Sequence, residues 1–156
     1  MHPTNNKVGD LFKGIHHFGI IVSNMGNALK LYRDTLGFAV ERDTGEEGLD
    51  SHYVSLVCKL TGVNAQKVRI VYLQRYEVRI ELLQFIGIVE NKRDRNYQGC
   101  HIATNVKNFT AAYEELRRIG LIPISKPQTI PSGPNTGKRV VYLKDEDGSR
   151  IELIGR

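Results

Sequence analysis

The chain has no tryptophan, two methionines and only two cysteines, Cys58 and Cys100, among its 156 residues. Two cysteines cannot build the disulfide framework of a small secreted domain, and a chain this long buries roughly two-thirds of its unfolded surface without such staples. Both are expected as reduced thiols in a cytoplasmic protein. Long apolar runs are missing too: Phe85 to Val89, five residues, is among the longest, and Met1 to Asp10 is polar. Neither a membrane-spanning helix nor an export signal is expected. At 40% hydrophobic and 25% charged, with no low-complexity tract, the composition is that of a folded domain. Nor is there a basic stripe. The densest group, Lys92, Arg93 and Arg95, is broken by Asp94, whereas nucleic-acid surfaces carry longer stripes or interleaved aromatics, so no nucleic-acid partner is expected. The 22 Lys and Arg outnumber the 17 Asp and Glu, giving a formal charge of +5. That excess favours an anionic small-molecule substrate.

What the sequence does contain is an internal repeat. His17-Phe18-Gly19-Ile20-Ile21-Val22-Ser23-Asn24 is echoed by His101-Ile102-Ala103-Thr104-Asn105-Val106-Lys107-Asn108. Each segment runs into a helical pattern. Asn24 is a candidate cap for a stripe of Ala28, Leu31, Tyr32 and Leu36 that ends at Gly37; Asn108 caps Phe109, Ala112, Tyr113 and Leu116, ending at Gly120. Later, Arg69-Ile70-Val71-Tyr72-Leu73 parallels Arg139-Val140-Val141-Tyr142-Leu143, and Arg79-Ile80-Glu81-Leu82 recurs letter for letter as Arg150-Ile151-Glu152-Leu153. A short polar turn separates the strands of each pair, so each half ends in a β-hairpin. Between helix and hairpin the halves differ. The first carries an extra segment, His52 to Leu60, of either strand or helix character; the second carries a loop, Lys126 to Lys138, rich in Pro and Gly and placed to act as a flap over a site.

Strand alternation assigns faces. Phe18, Ile20 and Val22 are expected on the core side of the first strand, which leaves His17 on the other; His101, Glu81 and Glu152 follow by the same count. If an approximate two-fold relates the halves, two imidazoles and two carboxylates meet in one cup, which is an inventory for a metal site. His16 has the wrong parity for that cup and is expected to be structural. His52 and His2 have no repeat partner. Lys126, Lys138 and Arg139 read as solvated loop and strand-end charges.

At these residues the chain resembles the vicinal oxygen chelate superfamily, which includes lactoylglutathione lyase, methylmalonyl-CoA epimerase, extradiol dioxygenases and the fosfomycin and bleomycin resistance proteins. The resemblance is carried by Ile15-His16-His17-Phe18-Gly19-Ile20, Ala28 through Leu36-Gly37-Phe38, Gly99-Cys100-His101-Ile102-Ala103, and Val141-Tyr142-Leu143 followed by Asp147-Gly148 and Ile151-Glu152-Leu153. It implies an α+β fold of two tandem βαβββ modules forming a metal-binding cup. The division is an N-terminal extension at 1–12, modules at 13–86 and 98–156, and a linker at 87–97, all within one compact domain. It also implies a divalent metal (Ni, Co, Zn, Mn or Fe) held by His17, Glu81, His101 and Glu152, with Glu152 as proton shuttle, and a homodimer. The function implied is a lyase, isomerase or epimerase that works through an enolate on a small carbonyl or thioester substrate. The alternatives are an Fe(II) extradiol-type dioxygenase and a non-catalytic drug- or metabolite-binding resistance protein. The stretch Thr44 to Leu60 does not match the catalytic Glu segment of the epimerases, although Glu46 and Glu47 lie near where one would be sought.

Overall fold

The computed structural model describes residues 9–89 and 99–156. Most of the expected N-terminal extension, with His2, and most of the expected linker, with Lys92, Arg93 and Arg95, lie outside the described residues. After a short turn at Gly9–Leu11 come β1 (Phe12–Ile21), α1 (Met25–Leu29, prolonged by a π-helical turn at Lys30–Thr35), β2 (Ala39–Asp43), α2 (Ser51–Thr61), β3 (Ala65–Arg75) and β4 (Val78–Ile88). Then follow β5 (Cys100–Val106), α3 (Phe109–Arg118), β6 (Ile122–Pro123), β7 (Gln128–Thr129), β8 (Arg139–Lys144) and β9 (Arg150–Gly155). The strands join one sheet in the order β2-β3-β4-β1-β5-β9-β8-β6, with β7 also on β8. Within it β1 runs parallel to β4, and β5 runs parallel to β9. The two βαβββ units meet where β1 lies antiparallel to β5.

The two repeated helices pack on the flanks of the outer face, α1 on β4 and α3 on β9. Asn24 and Asn108 cap them through side-chain oxygens that accept from the N–H groups of Asn27 at 2.9 Å and Ala111 at 3.0 Å. Helix α3 buries Phe109, Ala112 and Leu116 against Val141, Leu143 and Leu153, as its stripe predicts; Phe109 alone is worth about 2–3 kcal/mol on burial. Helix α1 departs from its expected stripe. The Leu36 N–H bonds to the Leu31 carbonyl, five residues back, and this wider winding rotates the later side chains. The buried set is Met25, Ala28 and Leu29, with Tyr32 packed alongside, an i, i+3, i+4, i+7 stripe that leaves Leu31 outside, and the wider winding turns Leu36 out as well, so both leucines are exposed. Phe18 is a second correction: it and its β5 partner Ile102 are exposed, because α1 packs over β4 and α3 over β9, leaving the central strands uncovered.

The extra segment of the first half is a helix. The Asp50 carboxylate accepts from the N–H groups of His52 and Tyr53, both at 3.0 Å. Gly62, at φ 76°, supplies the left-handed residue that ends α2. Helix α2 crosses the concave face of the sheet. Val54 and Val57 pack against Val68, Ile70, Leu83 and Phe85; Leu56 and Leu60 pack against Ala103, Val140, Tyr142 and Ile154. The concave face is thus a second core, which is why β3, β4 and β8 are apolar on both faces. No described helix is long and apolar enough to cross a membrane, and Cys58 and Cys100 are both free.

Candidate metal centre

The four residues expected as ligands come together, all buried, on the concave face of one chain. His17 Nε2 lies 3.2 Å from Glu81 Oε2, 3.3 Å from Glu152 Oε2 and 3.1 Å from His101 Nε2. His101 Nε2 lies 3.6 Å from Glu81 Oε2 and 3.3 Å from Glu152 Oε2. A divalent ion bonded to N and O at about 2.1 Å holds adjacent octahedral donors about 3.0 Å apart, and the imidazole nitrogens stand 3.1 to 3.6 Å from the other donors, all four within 4.8 Å of one another, so small side-chain shifts would close the set on such an ion. A proton does not satisfy it: one N–H on His17 cannot point at three acceptors at once. Two imidazoles and two carboxylates, without sulfur, suit a borderline first-row ion.

Sheet register builds this cluster. His17 sits opposite Ala103, and Gly19 sits opposite His101, so each histidine faces a small residue that lies two places after the other histidine in its strand. At Gly19 the requirement is absolute, since a Cβ there would come within 1.7 Å of His101 Cε1. Gly19→Ala is therefore expected to push the imidazole out of the cluster and weaken metal affinity about 10–100-fold. Competition against a chromophoric chelator would measure this, and unaltered affinity would mean that His101 is not a ligand.

Several supporting groups were not anticipated. Tyr72 on β3 is the cross-strand partner of Glu81, and Tyr142 on β8 that of Glu152. The Tyr72 hydroxyl donates to Glu81 Oε1, leaving Oε2 turned inward. The Tyr142 hydroxyl lies 3.2 Å from both Glu152 Oε2 and His101 Nε2. The signal was in the repeat, where both tyrosines occupy the same place in their hairpins. His16 corrects the parity argument: β1 is irregular between Ile15 and His17, and the bulge turns both imidazoles toward the cup. Their Nδ1 atoms are 2.8 Å apart, so a His17 that gives its Nε2 lone pair to an ion can donate its Nδ1–H to His16. Arg79, held by Glu41 through bonds of 2.6 and 3.0 Å, backs His16 at 3.3 Å and covers the Tyr72 ring. Glu46 and Glu47 are exposed, and Glu47 faces Lys67 at 3.9 Å. Arg139 stacks on Phe109 at the outer face.

Charge in the metal-free cup follows from burial and pairing. Burial alone lowers the pKa of His17, but Glu81 and Glu152 outweigh it and push the imidazole up to about 10. Burial would raise both carboxyls; the His17 charge holds Glu81 below its usual range, and hydrogen bonds from His101 and His17 hold Glu152 far below it. Burial, His17 and Arg79 lower the pKa of His16. Tyr72 and Tyr142 are raised well above the ordinary phenol by burial and by the adjoining carboxylates. The raised His17 stabilises the metal-free fold fully below its unfolded pKa of 6.5 and loses that contribution as pH climbs through about 10. Metal binding runs the other way, since that proton must leave. Apparent metal affinity is expected to tighten about tenfold per pH unit from about pH 7 to 9, with roughly one proton released per ion in calorimetry across buffers of different ionisation enthalpy. A flat profile would exclude a protonated His17.

Beside the cluster lies a space of about 50 Å³ bounded by His16, Tyr53, Leu56, Ile130, Asn135 and Tyr142, room for roughly four waters. Ile130 and Asn135 come from the expected flap, a loop bonded to itself and to β8.

The comparisons agree with this construction. The model of the Glyoxalase/Bleomycin resistance protein/Dioxygenase superfamily matches residues 14–153. A 2-epi-5-epi-valiolone epimerase of an Actinomyces species is 26% identical over 145 residues, which are 90% of this chain and 78% of that one. The uncharacterised protein YaeR of Escherichia coli is 29% identical over 144 residues, 90% of this chain and 95% of its own. Among solved structures, methylmalonyl-CoA epimerase from Mycobacterium tuberculosis has a TM-score of 0.62 at 20% identity, covering 99% of this chain and 92% of that one; at this identity it speaks for the fold. A repeat whose halves each place one histidine and one glutamate in a common cup, with both halves inside the family model's match, makes this chain a member of the glyoxalase/bleomycin resistance protein/dioxygenase superfamily.

Proposed function

We propose that this protein is a metal-dependent isomerase, epimerase or lyase that removes a proton next to a carbonyl and passes through an enolate. The observation that carries the reading is the convergence of four buried donors beside a space open to a small ligand. His17, Glu81, His101 and Glu152 would hold a divalent ion (Ni, Co, Zn, Mn or Fe), which when bound supplies Lewis acidity to a carbonyl and so acidifies the adjoining C–H. The proton itself is assigned to the Glu152 carboxylate, whose Oε2 accepts from the Tyr142 hydroxyl at 3.2 Å. Glu46 and Glu47, out at the surface, supply no base. The 2-epi-5-epi-valiolone epimerase among the sequence relatives supports an isomerising rather than an oxygen-using reaction. So does Glu81, whose Oε2 is aimed into the centre although a two-His, one-carboxylate iron site would not need it. The substrate in this reading is a small anion carrying a carbonyl or thioester, and the protein works as a homodimer in which each chain completes its own cup.

The test is solvent exchange. Metal-loaded protein in deuterated buffer without dioxygen should incorporate deuterium at the α-carbon of an accepted substrate, with methylmalonyl-CoA and the hemithioacetal of methylglyoxal and glutathione as first probes. Turnover that requires dioxygen would replace this reading with ring cleavage, and binding without exchange would replace it with a resistance-type binding protein.

A further inference from the structure

The two wings of the cup are built alike but closed differently. On the second wing Ile124, whose N–H bonds to the Tyr142 carbonyl at 2.9 Å, packs into the apolar cluster under α2. The corresponding place on the first wing, opposite Tyr72 on β3, is Arg42. Arg42, Tyr72 and Glu81 are successive cross-strand partners, and side chains in one such row share a face of the sheet. A cation therefore stands on the concave face, in line with a cluster carboxylate, where the repeat elsewhere has isoleucine.

Three features separate Arg42 from an ordinary surface arginine. Its neighbours are neutralised, Arg69 by Asp43 at 2.7 and 3.1 Å and Arg79 by Glu41, whereas Arg42 has no carboxylate or hydrogen-bond partner among the described residues. Its Nη1 would lie 3.3 Å from a Cβ at Gly133, so the guanidinium rests against the loop that lends Asn135 to the cavity wall. Tyr53, which lines the cavity, feels the charges of Arg42, Glu81 and Glu152 together, so the cation is within electrostatic reach of the space beside the cluster. Lys138, bonded to Asn135 at 2.7 Å, adds a second positive charge at this rim.

We propose that Arg42 is a specificity-determining residue that anchors a carboxylate or phosphate of the substrate while the substrate's carbonyl end occupies the cup. The planar guanidinium offers paired N–H donors matched to such an anion, and the loop around Gly133 roofs the arm that carries it. This rests on the enolate reading for the ligand's other end, and the experiment keeps the two apart.

The probes are dihydroxyacetone and dihydroxyacetone phosphate, which share adjacent carbonyl and hydroxyl oxygens and differ by one phosphate. Each is titrated into Co²⁺-loaded protein and followed by the visible cobalt spectrum. The expected result is a spectral change with both, at least about tenfold tighter binding of the phosphate ester, and loss of that preference in Arg42→Gln with the affinity for dihydroxyacetone unchanged. Arg42→Lys should retain part of it. A preference that survives Arg42→Gln, or that the wild type lacks, overturns the anchor while leaving the chelating cup intact. A cobalt spectrum that neither probe moves overturns the chelate reading, and the anchor with it.

Discussion

Adding a divalent ion at about one hundred times its dissociation constant should stabilise the wild-type fold by about 2.7 kcal/mol, raising the melting temperature by roughly 5–10 °C for a chain of this size. In His101→Ala the increment is expected to vanish. The physical reason is that the ion selects the folded cup, and removal of one imidazole leaves three donors without the nitrogen that lies 3.1 Å from His17 and 3.3 Å from Glu152. The variant should still fold, because His17 remains between Glu81 and Glu152 and because α1 and α3 pack on the opposite face. Thermal scans with a chelator, then with Zn²⁺, Ni²⁺, Co²⁺ and Mn²⁺, read both effects. An ion that raised the melting temperature of His101→Ala as much as that of the wild type would remove this residue from the ligand set.

Glu81→Gln is the second large effect. Glutamine keeps the shape of the side chain and can still accept from Tyr72, but it removes one of two anionic charges facing a divalent cation. Metal affinity should fall, the preferred metal should change, and deuterium exchange at the α-carbon should slow about 100-fold or more. A second consequence follows in the metal-free protein: with one carboxylate gone, His17 loses the largest attraction that raises its pKa, so its titration should move downward, which ring-proton NMR would follow. If turnover needs dioxygen and survives Glu81→Gln undiminished, the four-donor site is not the working unit and an iron triad of His17, His101 and Glu152 takes its place.

Much of this was legible along the chain because a duplication records geometry twice. His17 with His101, and Glu81 with Glu152, stand at matching places in matching strands, and strand alternation sends each to a predictable face. The same repeat held Tyr72 and Tyr142, whose role was missed because a tyrosine in an apolar strand reads equally well as core. Asn24 and Asn108 were readable as caps for a local reason, since a cap depends on residues three positions away.

The rest depended on contacts the sequence does not rank. His52 to Leu60 has apolar residues all around, and only its position between two sheet wings explains why both sides of α2 are buried. The winding after Leu29, which exposes Leu36, and the bulge that brings His16 beside His17 are shifts of one residue, too small to alter composition but enough to rotate side chains to another face. Phe18 is exposed because two helices cover the flanks of the sheet and not its centre. The repeated modules, and the four residues able to meet, are readable from the chain alone, since periodicity and repetition are properties of neighbours in sequence. That they do meet in one chain, each imidazole nitrogen 3.1 to 3.6 Å from the other donors, with a glycine under His101 and an arginine at the rim that has no ionic partner among the described residues, follows from the tertiary packing, because those distances arise between strands far apart in sequence.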